Sequence, residues 1–306
     1  MPLKDLTFGM ALPQRYPEAA ADIATVRRVA QRADALGFAD LWLTENTLDH
    51  VPCPDPLILL SHVAAVTTRI RLGVAVLVLP VHHPAHIARQ VQTLDYVSDG
   101  RATLGIGLGR DAHYAEFGVP LERRVRRFTE GVEILRALWT QPSVTYHGQI
   151  YDLHDASVLP LPLQKPHPPI WMGAGHPDAI KRAARLADGW MGSGNSSSAG
   201  FGPQVALLQQ ALADAGRDPA TFPISKRVFM SVHAREEVAQ QEVRHYMGAV
   251  YRNADLAERS CIAGTPAQVA ERLEELAAMG ANHLLLHPIA RPEEQLEVLA
   301  EMVGLQ

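Results

Sequence analysis

Eight apolar runs of strand length recur along the chain, and a segment with helical periodicity follows each of them. The runs are LTFGMAL (6–12), ADLWLTE (39–45), IRLGVAVLVL (70–79), ATLGIGLG (102–109), PPIWMGA (168–174), DGWMGS (188–193), ISKRVFMSV (224–232) and NHLLLHP (282–288). Such continuous runs indicate strands that are buried on both faces, as in a parallel sheet. Eight strand–helix units predict an α/β fold that closes into a (β/α)₈ barrel, the TIM-barrel fold. A doubly wound open sheet is the alternative.

A long insertion separates the fourth run from the fifth. An amphipathic helix over 122–139 follows the fourth run, and the segment SVTYHGQIYDLHDASVLPLPLQKPH (143–167) comes next. We interpret this segment as an inserted hairpin and a proline-dense loop, not as a domain linker. The 306 residues contain no low-complexity tract and no change of composition. We therefore predict a single domain over residues 1–306.

Charge and cysteine usage exclude several classes of partner. The net charge of −5 gives no global basic field, which excludes nucleic acid as a partner. Cys53 and Cys261 are the only cysteines, too few for a disulfide framework and consistent with a reducing compartment. The first 15 residues lack the apolar stretch of a signal peptide. No run approaches the roughly 20 residues that span a bilayer, so we predict a cytoplasmic protein without a membrane partner.

In a (β/α)₈ barrel, catalytic residues lie at the carboxyl ends of the strands. The residues at these positions are Pro13, Gln14, Thr44, Glu45, Asn46, Gly109, Arg110, Asp111, His113, Gly173, Ala174, Gly175, Ser193, His233 and His287. Glu45 ends an otherwise apolar strand, where a carboxylate suits either proton transfer or the acceptance of hydrogen bonds from loop N–H groups. His113 is a second candidate for proton transfer, and an ordinary loop histidine is the alternative.

The sequence GAGHPDA (173–179) joins the fifth strand to a helix. Free backbone N–H groups at a helix N-terminus suit a phosphate, and small residues allow its close approach. The turn therefore indicates a nucleotide-like cofactor, with a simple tight loop as the alternative. The stretch GNSSSAG (194–200) after the next strand indicates a mobile lid, a cofactor-contacting loop or a structural loop.

The GIGLG sequence (105–109) differs from the G-x-G-x-x-G fingerprint of dinucleotide-binding folds. No acidic residue follows it at the distance needed to bind a ribose. Its glycines indicate a close approach to the fourth strand, made either by a flat ring or by a neighbouring helix.

His82, His83 and His86 invite a metal interpretation because they lie close together in the sequence. Hydrolytic barrels, however, carry a histidine pair at the end of the first strand, and FGMALP offers none. We interpret the three as surface or capping histidines and expect no metal site.

Arg123, Arg124, Arg126 and Arg127 crowd the start of the helix that follows the fourth strand. Positive charge opposes the helix dipole at that end, so a nearby anionic partner would stabilise it. The alternative is a solvated face whose arginines pair with Glu122 and Glu130.

Several segments together resemble the luciferase-like monooxygenase family. They are RLGVAVLVLPVHHP with LDYVSDGRATLGIGLGR, then ERRVRRFTEGVEILRALW, and then TYHGQIYDL with PLQKPHPPIWMGAG and ADGW. The resemblance is close over about residues 6–195 and extends to the rest of the chain only in pattern. It is strongest to the branch that uses the deazaflavin coenzyme F-420. The family fold is a (β/α)₈ barrel, in agreement with the strand count.

The resemblance implies a ring-bearing cofactor in the barrel mouth, against a bulge in the third strand that often includes a non-proline cis peptide. That bond would fall at about Val74–Ala75, with Val76 completing an apolar wall. The residues expected to bind the cofactor are Asn46, Val74, Ala75, Gly109, Arg110, Gly173, Ala174, Gly175 and Ser193. Some deazaflavin enzymes carry an acid followed by a histidine at the end of the second strand. Here Asn46 follows Glu45, which argues against a sugar-phosphate dehydrogenase.

The activity implied by this resemblance is hydride transfer between reduced coenzyme F-420 and a small organic substrate, with Glu45 or His113 handling the proton. One alternative is an FMN-dependent monooxygenase that uses molecular oxygen and a partner flavin reductase. A second is a non-catalytic flavin-binding barrel. Family members are usually homodimers, and we expect a homodimer here. The loops expected to define the substrate, 50–55, 194–202 and 246–261, carry no motif that identifies it.

Overall fold

Eight parallel strands close into a barrel in the computed structural model, which describes residues 3–17, 19–46 and 48–305. The strands are β1 (Thr7–Ala11), β2 (Asp40–Leu43), β3 (Arg71–Val78), β4 (Ala102–Gly107), β5 (Val144–His147), β6 (Asp152–Ala156), β7 (Ile170–Gly173), β8 (Gly189–Gly192), β9 (Ile224–Val232), β10 (Cys261–Gly264) and β11 (His283–Pro288). The barrel order is β1–β2–β3–β4–β7–β8–β9–β11, and β11 pairs with β1 to close the ring. The predicted (β/α)₈ barrel is confirmed, and each predicted run contains one barrel strand.

Helices cover the outside of the barrel. They are α1 (Ile23–Leu36), α2 (Pro56–Val66), α3 (Pro84–Val97), α4 (Asp111–Glu116), α5 (Arg124–Thr140), α6 (Pro177–Leu186), α7 (Phe201–Asp214), α8 (Glu236–Tyr251), α9 (Leu256–Ser260), α10 (Pro266–Ala278) and α11 (Pro292–Val303). Local sequence signals set their ends. The Asp22 carboxylate caps α1 by accepting from the N–H groups of Ala24 and Thr25, and Gly37 ends that helix with a φ of 86°. Among the described residues, no helix is both long and apolar enough to cross a bilayer.

The insertion lies between β4 and β7, the fourth and fifth barrel strands, as predicted. Its strands β5 and β6 form an antiparallel hairpin. The buried carboxylate of Glu130, on α5, accepts hydrogen bonds from the backbone N–H groups of Gln149, Ile150 and Tyr151 at 2.9, 3.0 and 3.2 Å. Three charge-assisted hydrogen bonds fix the hairpin loop against the barrel.

One strand was not predicted. Cys261–Gly264 lies outside the eight predicted runs, yet it forms β10 and pairs in parallel with the carboxyl half of β9. The helix that follows, α10, begins at Pro266, and Thr265 and Gln268 form a capping box at its start.

A polar and aromatic layer fills the barrel near the amino ends of its strands. The rings of Trp42 and Trp171 lie 5.2 Å apart. Below them, His283 Nε2 lies 3.1 Å from both carboxylate oxygens of Asp40, and its Nδ1 lies 2.7 Å from the Ser225 hydroxyl. All five side chains pack inside the ring. They separate the carboxyl end of the barrel from a cavity of about 690 Å³ at its amino end, which Asp40, Trp42, Trp171 and His283 line in part.

Candidate active site

Two adjoining cavities open at the carboxyl ends of the barrel strands. The first, about 430 Å³ in volume, is lined by residues from β3, β8 and β9 and by the loops that follow β2, β4, β7 and β8. The second is about 380 Å³ and extends towards α4 and the end of α8. The residues that line both are Glu45, Asn46, Val78, Arg110, His113 and Tyr251. Volumes of this size are typical of small-molecule sites.

The structure brings most of the predicted site residues together. Those lining the first cavity are Glu45, Asn46, Ala75, Gly109, Arg110, His113, Gly173, Ala174, Gly175 and Ser193. Val74 is the exception, because it is fully buried in the core and lines neither cavity. Val76, also expected in the apolar wall, does line it. Of the other strand-end residues, Thr44 lines the first cavity, and the ones that line neither are Pro13, Gln14, Asp111, His233 and His287.

Strand β3 carries the expected bulge. Its pairing with β4 shifts register between Val74 and Leu77. The non-proline cis peptide lies within this bulge, between Ala75 and Val76, one residue later than the predicted Val74–Ala75 position. The bulge turns the backbone so that both Ala75 and Val76 line the cavity.

Two glycines on neighbouring strands make room for the Val76 side chain. A Cβ atom on Gly107 would lie 2.6 Å from Val76 Cγ2, and one on Gly173 would lie 2.8 Å from Val76 Cγ1. Neither distance is tolerated by real side chains. Strand β3 therefore makes a close approach to the GIGLG segment, and Gly109 also lies close to His113 of helix α4.

Arg227, on β9, holds this bulge from the opposite side of the barrel. Its Nη1 donates to the carbonyl oxygen of Ala75 at 3.0 Å, and its Nε donates to His287 Nδ1 at 3.0 Å. Burial, and to a lesser extent the nearby guanidinium, lowers the pKa of His287 well below its usual range, so its ring is a neutral acceptor. The guanidinium also lies 4.7 Å from the centre of the Phe229 ring. Arg227 is not among the predicted site residues, although a charged residue within an apolar strand is a usable signal.

Glu45 is hydrogen-bonded through both carboxylate oxygens. Its Oε2 accepts from the backbone N–H of Val78 at 2.6 Å, and its Oε1 lies 2.6 Å from His82 Nε2. The side chain is almost fully buried, yet Glu45 lines both cavities. His82 is thus a partner of a site carboxylate, a role that sequence analysis missed. Its neighbour His83 does cap a helix, since its ring accepts from the N–H of Ala85 at the start of α3.

His113, on α4, lines both cavities. Its Nδ1 is 3.2 Å from the backbone nitrogen of Arg110, and its Nε2 is 3.2 Å from an Arg110 guanidinium nitrogen. Partial burial, together with the Arg110 charge, lowers the pKa of His113 below its usual value. The ring is therefore neutral at neutral pH, and its one acceptor nitrogen faces an Arg110 donor.

The predicted phosphate turn opens directly into the first cavity. Within the described part of the chain, the backbone N–H groups of Gly175 and His176 donate no hydrogen bond. Both residues line the cavity, at the N-terminus of α6. Unpaired N–H groups and the positive end of a helix dipole form an anion-binding position.

The loop after β8 forms the facing side of the cavity and is anchored by a buried lysine. Lys226 Nζ donates to the carbonyl oxygens of Ser193 and Ser196 and to the Ser196 hydroxyl. All three acceptors are neutral. Burial lowers the pKa of Lys226 to about 8.

None of the four members of the arginine cluster at the start of α5 lines either cavity. Arg124 pairs with Asp111, and Arg127 donates to the carbonyl oxygen of Pro120 at 3.0 Å. The Glu130 carboxylate, an alternative partner of the cluster, accepts from the hairpin loop and is also influenced by the charge of Arg126.

Comparison with known proteins places these features in context. The sequence profile of the luciferase-like monooxygenase family matches residues 6–283. An F420-dependent glucose-6-phosphate dehydrogenase of Kineococcus radiotolerans is 29% identical over 315 aligned positions, which cover 92% of this chain and 92% of the relative.

Solved structures share the fold at lower identity. Monooxygenase RslO1 from Streptomyces bottropensis superposes with a TM-score of 0.85 at 24% identity, over 97% of this chain and 98% of that one. An F420-dependent secondary alcohol dehydrogenase in complex with an F420–acetone adduct gives a TM-score of 0.85 at 16% identity, over 99% of each chain. At these identities the likeness establishes the barrel and not the chemistry.

Proposed function

The chain belongs to the luciferase-like monooxygenase family, and on this basis we propose that it is an oxidoreductase that transfers a hydride between coenzyme F-420 and a small organic substrate. One observation carries the proposal. A single cavity of about 430 Å³ combines the bulged wall at Ala75 and Val76 with the unpaired N–H groups of Gly175 and His176. An apolar surface for a ring and an anion position for a phosphate are the two features that a deazaflavin or flavin requires.

The residues present fit such a cofactor. The N–H groups of Gly175 and His176 would hold its phosphate, and Ala75 and Val76 would support its ring. When bound, the deazaflavin supplies a ring carbon that accepts or donates a hydride. The protein contributes orientation, because Arg227 and the glycines of β4 and β7 fix the β3 wall in one geometry.

Two groups are placed to handle the proton that accompanies hydride transfer. Glu45 and His113 both border the second cavity, which we assign to the substrate. Glu45 shares a 2.6 Å contact with His82, through which a proton can pass between carboxylate and imidazole. His113 is neutral at neutral pH and accepts a proton from substrate in the oxidative direction.

The choice of deazaflavin over FMN rests on the relative named as F420-dependent, which aligns over 92% of this chain. FMN also has a ring and a phosphate, so a two-component monooxygenase with a partner flavin reductase is the second candidate, supported by the family to which the chain belongs. Asn46 stands where a proton-donating histidine was expected for sugar-phosphate oxidation, so we do not propose glucose 6-phosphate as the substrate. The homodimer, the cytoplasmic location and the single domain over 1–306 stay predictions.

Equilibrium binding tests the proposal. Purified apoprotein is titrated with coenzyme F-420 and with FMN in the same buffer, and binding is followed by cofactor fluorescence. We expect F-420 to bind at least about tenfold more tightly, equivalent to about 1.4 kcal/mol. Tighter binding of FMN would instead support the FMN-dependent monooxygenase. Binding of F-420 without turnover of any carbonyl or alcohol would support the non-catalytic flavin-binding barrel.

A further inference from the structure

The inserted hairpin carries three metal-ligating side chains on one exposed face. His147 ends β5, and Asp152, the first residue of β6, is its cross-strand partner. His154 follows two residues later on β6, and residues two apart in a strand point to the same side. Strand geometry alone therefore brings two imidazoles and one carboxylate together.

The distances between their ligand atoms suit a tetrahedral ion. His147 Nδ1 lies 2.7 Å from Asp152 Oδ1, and His154 Nε2 lies 3.1 Å from Asp152 Oδ2. One ligand atom from each of the three residues lies within 4.8 Å of the others. Ligands about 2.0 Å from a tetrahedral zinc ion are separated by about 3.3 Å, so small side-chain rotations bring all three into contact with one ion.

The hairpin presents these residues on a fixed backbone. The loop between His147 and Asp152 is tied to the core by the three hydrogen bonds that the Glu130 carboxylate accepts. Gly148 lies against that carboxylate, where a Cβ atom would collide with it. A fixed loop reduces the conformational entropy that ion binding would otherwise cost.

We propose that His147, Asp152 and His154 form a binding site for a divalent transition-metal ion of the zinc type. Two imidazole nitrogens and one carboxylate oxygen select zinc, nickel or copper over magnesium and calcium, which prefer oxygen ligands. The three side chains are exposed, so the fourth coordination position is open to water. None of them lines the barrel-mouth cavities, and the site is independent of the proposed hydride transfer.

Calorimetric titration of the full chain, free of any histidine tag, with Zn²⁺ and separately with Mg²⁺ tests this site. We expect one Zn²⁺ per chain and no comparable binding of Mg²⁺. Asp152→Asn and His154→Gln should each raise the Zn²⁺ Kd at least about tenfold, since even loss of an outer-sphere partner has effects of that size. His62→Gln, at an exposed histidine on α2, is the matched control and should leave the Kd unchanged.

Far-UV circular dichroism of each variant verifies that it is folded. We expect each variant to fold, because all three substituted positions are exposed. The proposal is overturned if the chain binds no Zn²⁺. It is equally overturned if Asp152→Asn and His154→Gln bind Zn²⁺ as tightly as His62→Gln does.

Discussion

Arg227 Nη1 donates a hydrogen bond to the carbonyl oxygen of Ala75 at 3.0 Å, which joins β9 to the bulge of β3 across the barrel mouth. Ala75 and Val76 form the cavity wall, so the position of that wall depends on a side chain from the opposite strand of the ring, four positions away. The other side of the guanidinium is fixed by His287 and by the Phe229 ring. Arg227 therefore acts as a positioning residue.

Arg227→Met should weaken cofactor binding by moving the β3 wall. The substitution removes a charged donor from the Ala75 carbonyl, and hydrogen bonds to charged groups contribute about 1.5–3 kcal/mol. We expect the Kd for F-420 to rise at least about tenfold in a fluorescence titration.

Arg217→Met is the matched control for this substitution. Arg217 also donates to two backbone carbonyl oxygens, those of Ala184 and Ala187, and its guanidinium lies 4.8 Å from the Phe222 ring centre. It lines neither barrel-mouth cavity, so its loss should lower stability with little change in the cofactor Kd. Equal weakening of binding by the two variants would show that Arg227 acts only through stability.

Glu45→Gln should lower turnover much more than cofactor affinity. The amide oxygen still accepts from the Val78 N–H, so the loop geometry is retained, but the group no longer exchanges a proton with His82. General acid–base catalysis contributes about 10²–10⁴-fold, and we expect kcat to fall at least about a hundredfold with a Kd change below about threefold. Glu122→Gln, at an exposed acid that lines neither cavity, should keep normal turnover. Wild-type kcat in the Glu45 variant would remove Glu45 from the mechanism.

His176→Pro tests the phosphate position by deleting one backbone N–H. His176 has a φ of −76°, which proline adopts without strain. The substitution also removes the ring that accepts from the N–H of Asp178, so His176→Ala is the matched control that loses the ring and keeps the N–H. We expect the proline variant to bind F-420 at least about tenfold more weakly than the alanine variant. Identical affinities would place the phosphate elsewhere.

Gly107→Ala should destabilise the protein by overpacking against Val76. The added methyl would lie 2.6 Å from Val76 Cγ2, and overpacking of this kind costs about 1–3 kcal/mol. In a Val76→Ala background the same change should cost much less, because the conflicting atoms are gone. Denaturant unfolding of the four proteins in this cycle measures the coupling. A penalty that persists without the Val76 side chain would contradict the packing argument.

The fold followed from the sequence because the barrel strands are largely buried on both faces and form eight mainly apolar runs. Strand β10 left no such signal, since it has four residues between two helices and pairs outside the ring. The sequence alone therefore does not indicate a strand at Cys261–Gly264.

The location of the site also followed from the sequence, because residues after parallel strands converge at one end of a barrel. Contacts between elements distant in the chain could not be predicted. The Glu45–His82 pair joins positions 37 residues apart, and the Arg227–Ala75 contact joins positions 152 apart. The bulge in β3 keeps Val74 out of the cavity and places Val76 in its wall. The position of the bulge depends on how β3 pairs with β4, which the sequence of β3 alone does not specify.

Lys226→Met should release the loop after β8 and change how stability depends on pH. The pKa of Lys226 is about 8 in the folded protein against 10.5 for an ordinary lysine, so between these values the unfolded chain binds more protons. The free energy of unfolding of the wild type therefore gains a contribution that rises with pH across this window and is lost again as the pH falls through about 8.

The methionine variant lacks that contribution, and denaturant midpoints of the two proteins at several pH values across the window measure the difference. Loss of the three hydrogen bonds to Ser193 and Ser196 should also loosen the cavity side of the loop, which limited proteolysis detects as faster cleavage within 193–200. Lys181→Met, at an exposed lysine on α6, should alter neither property. An unchanged pH slope together with unchanged cleavage would mean that Lys226 does not anchor this loop.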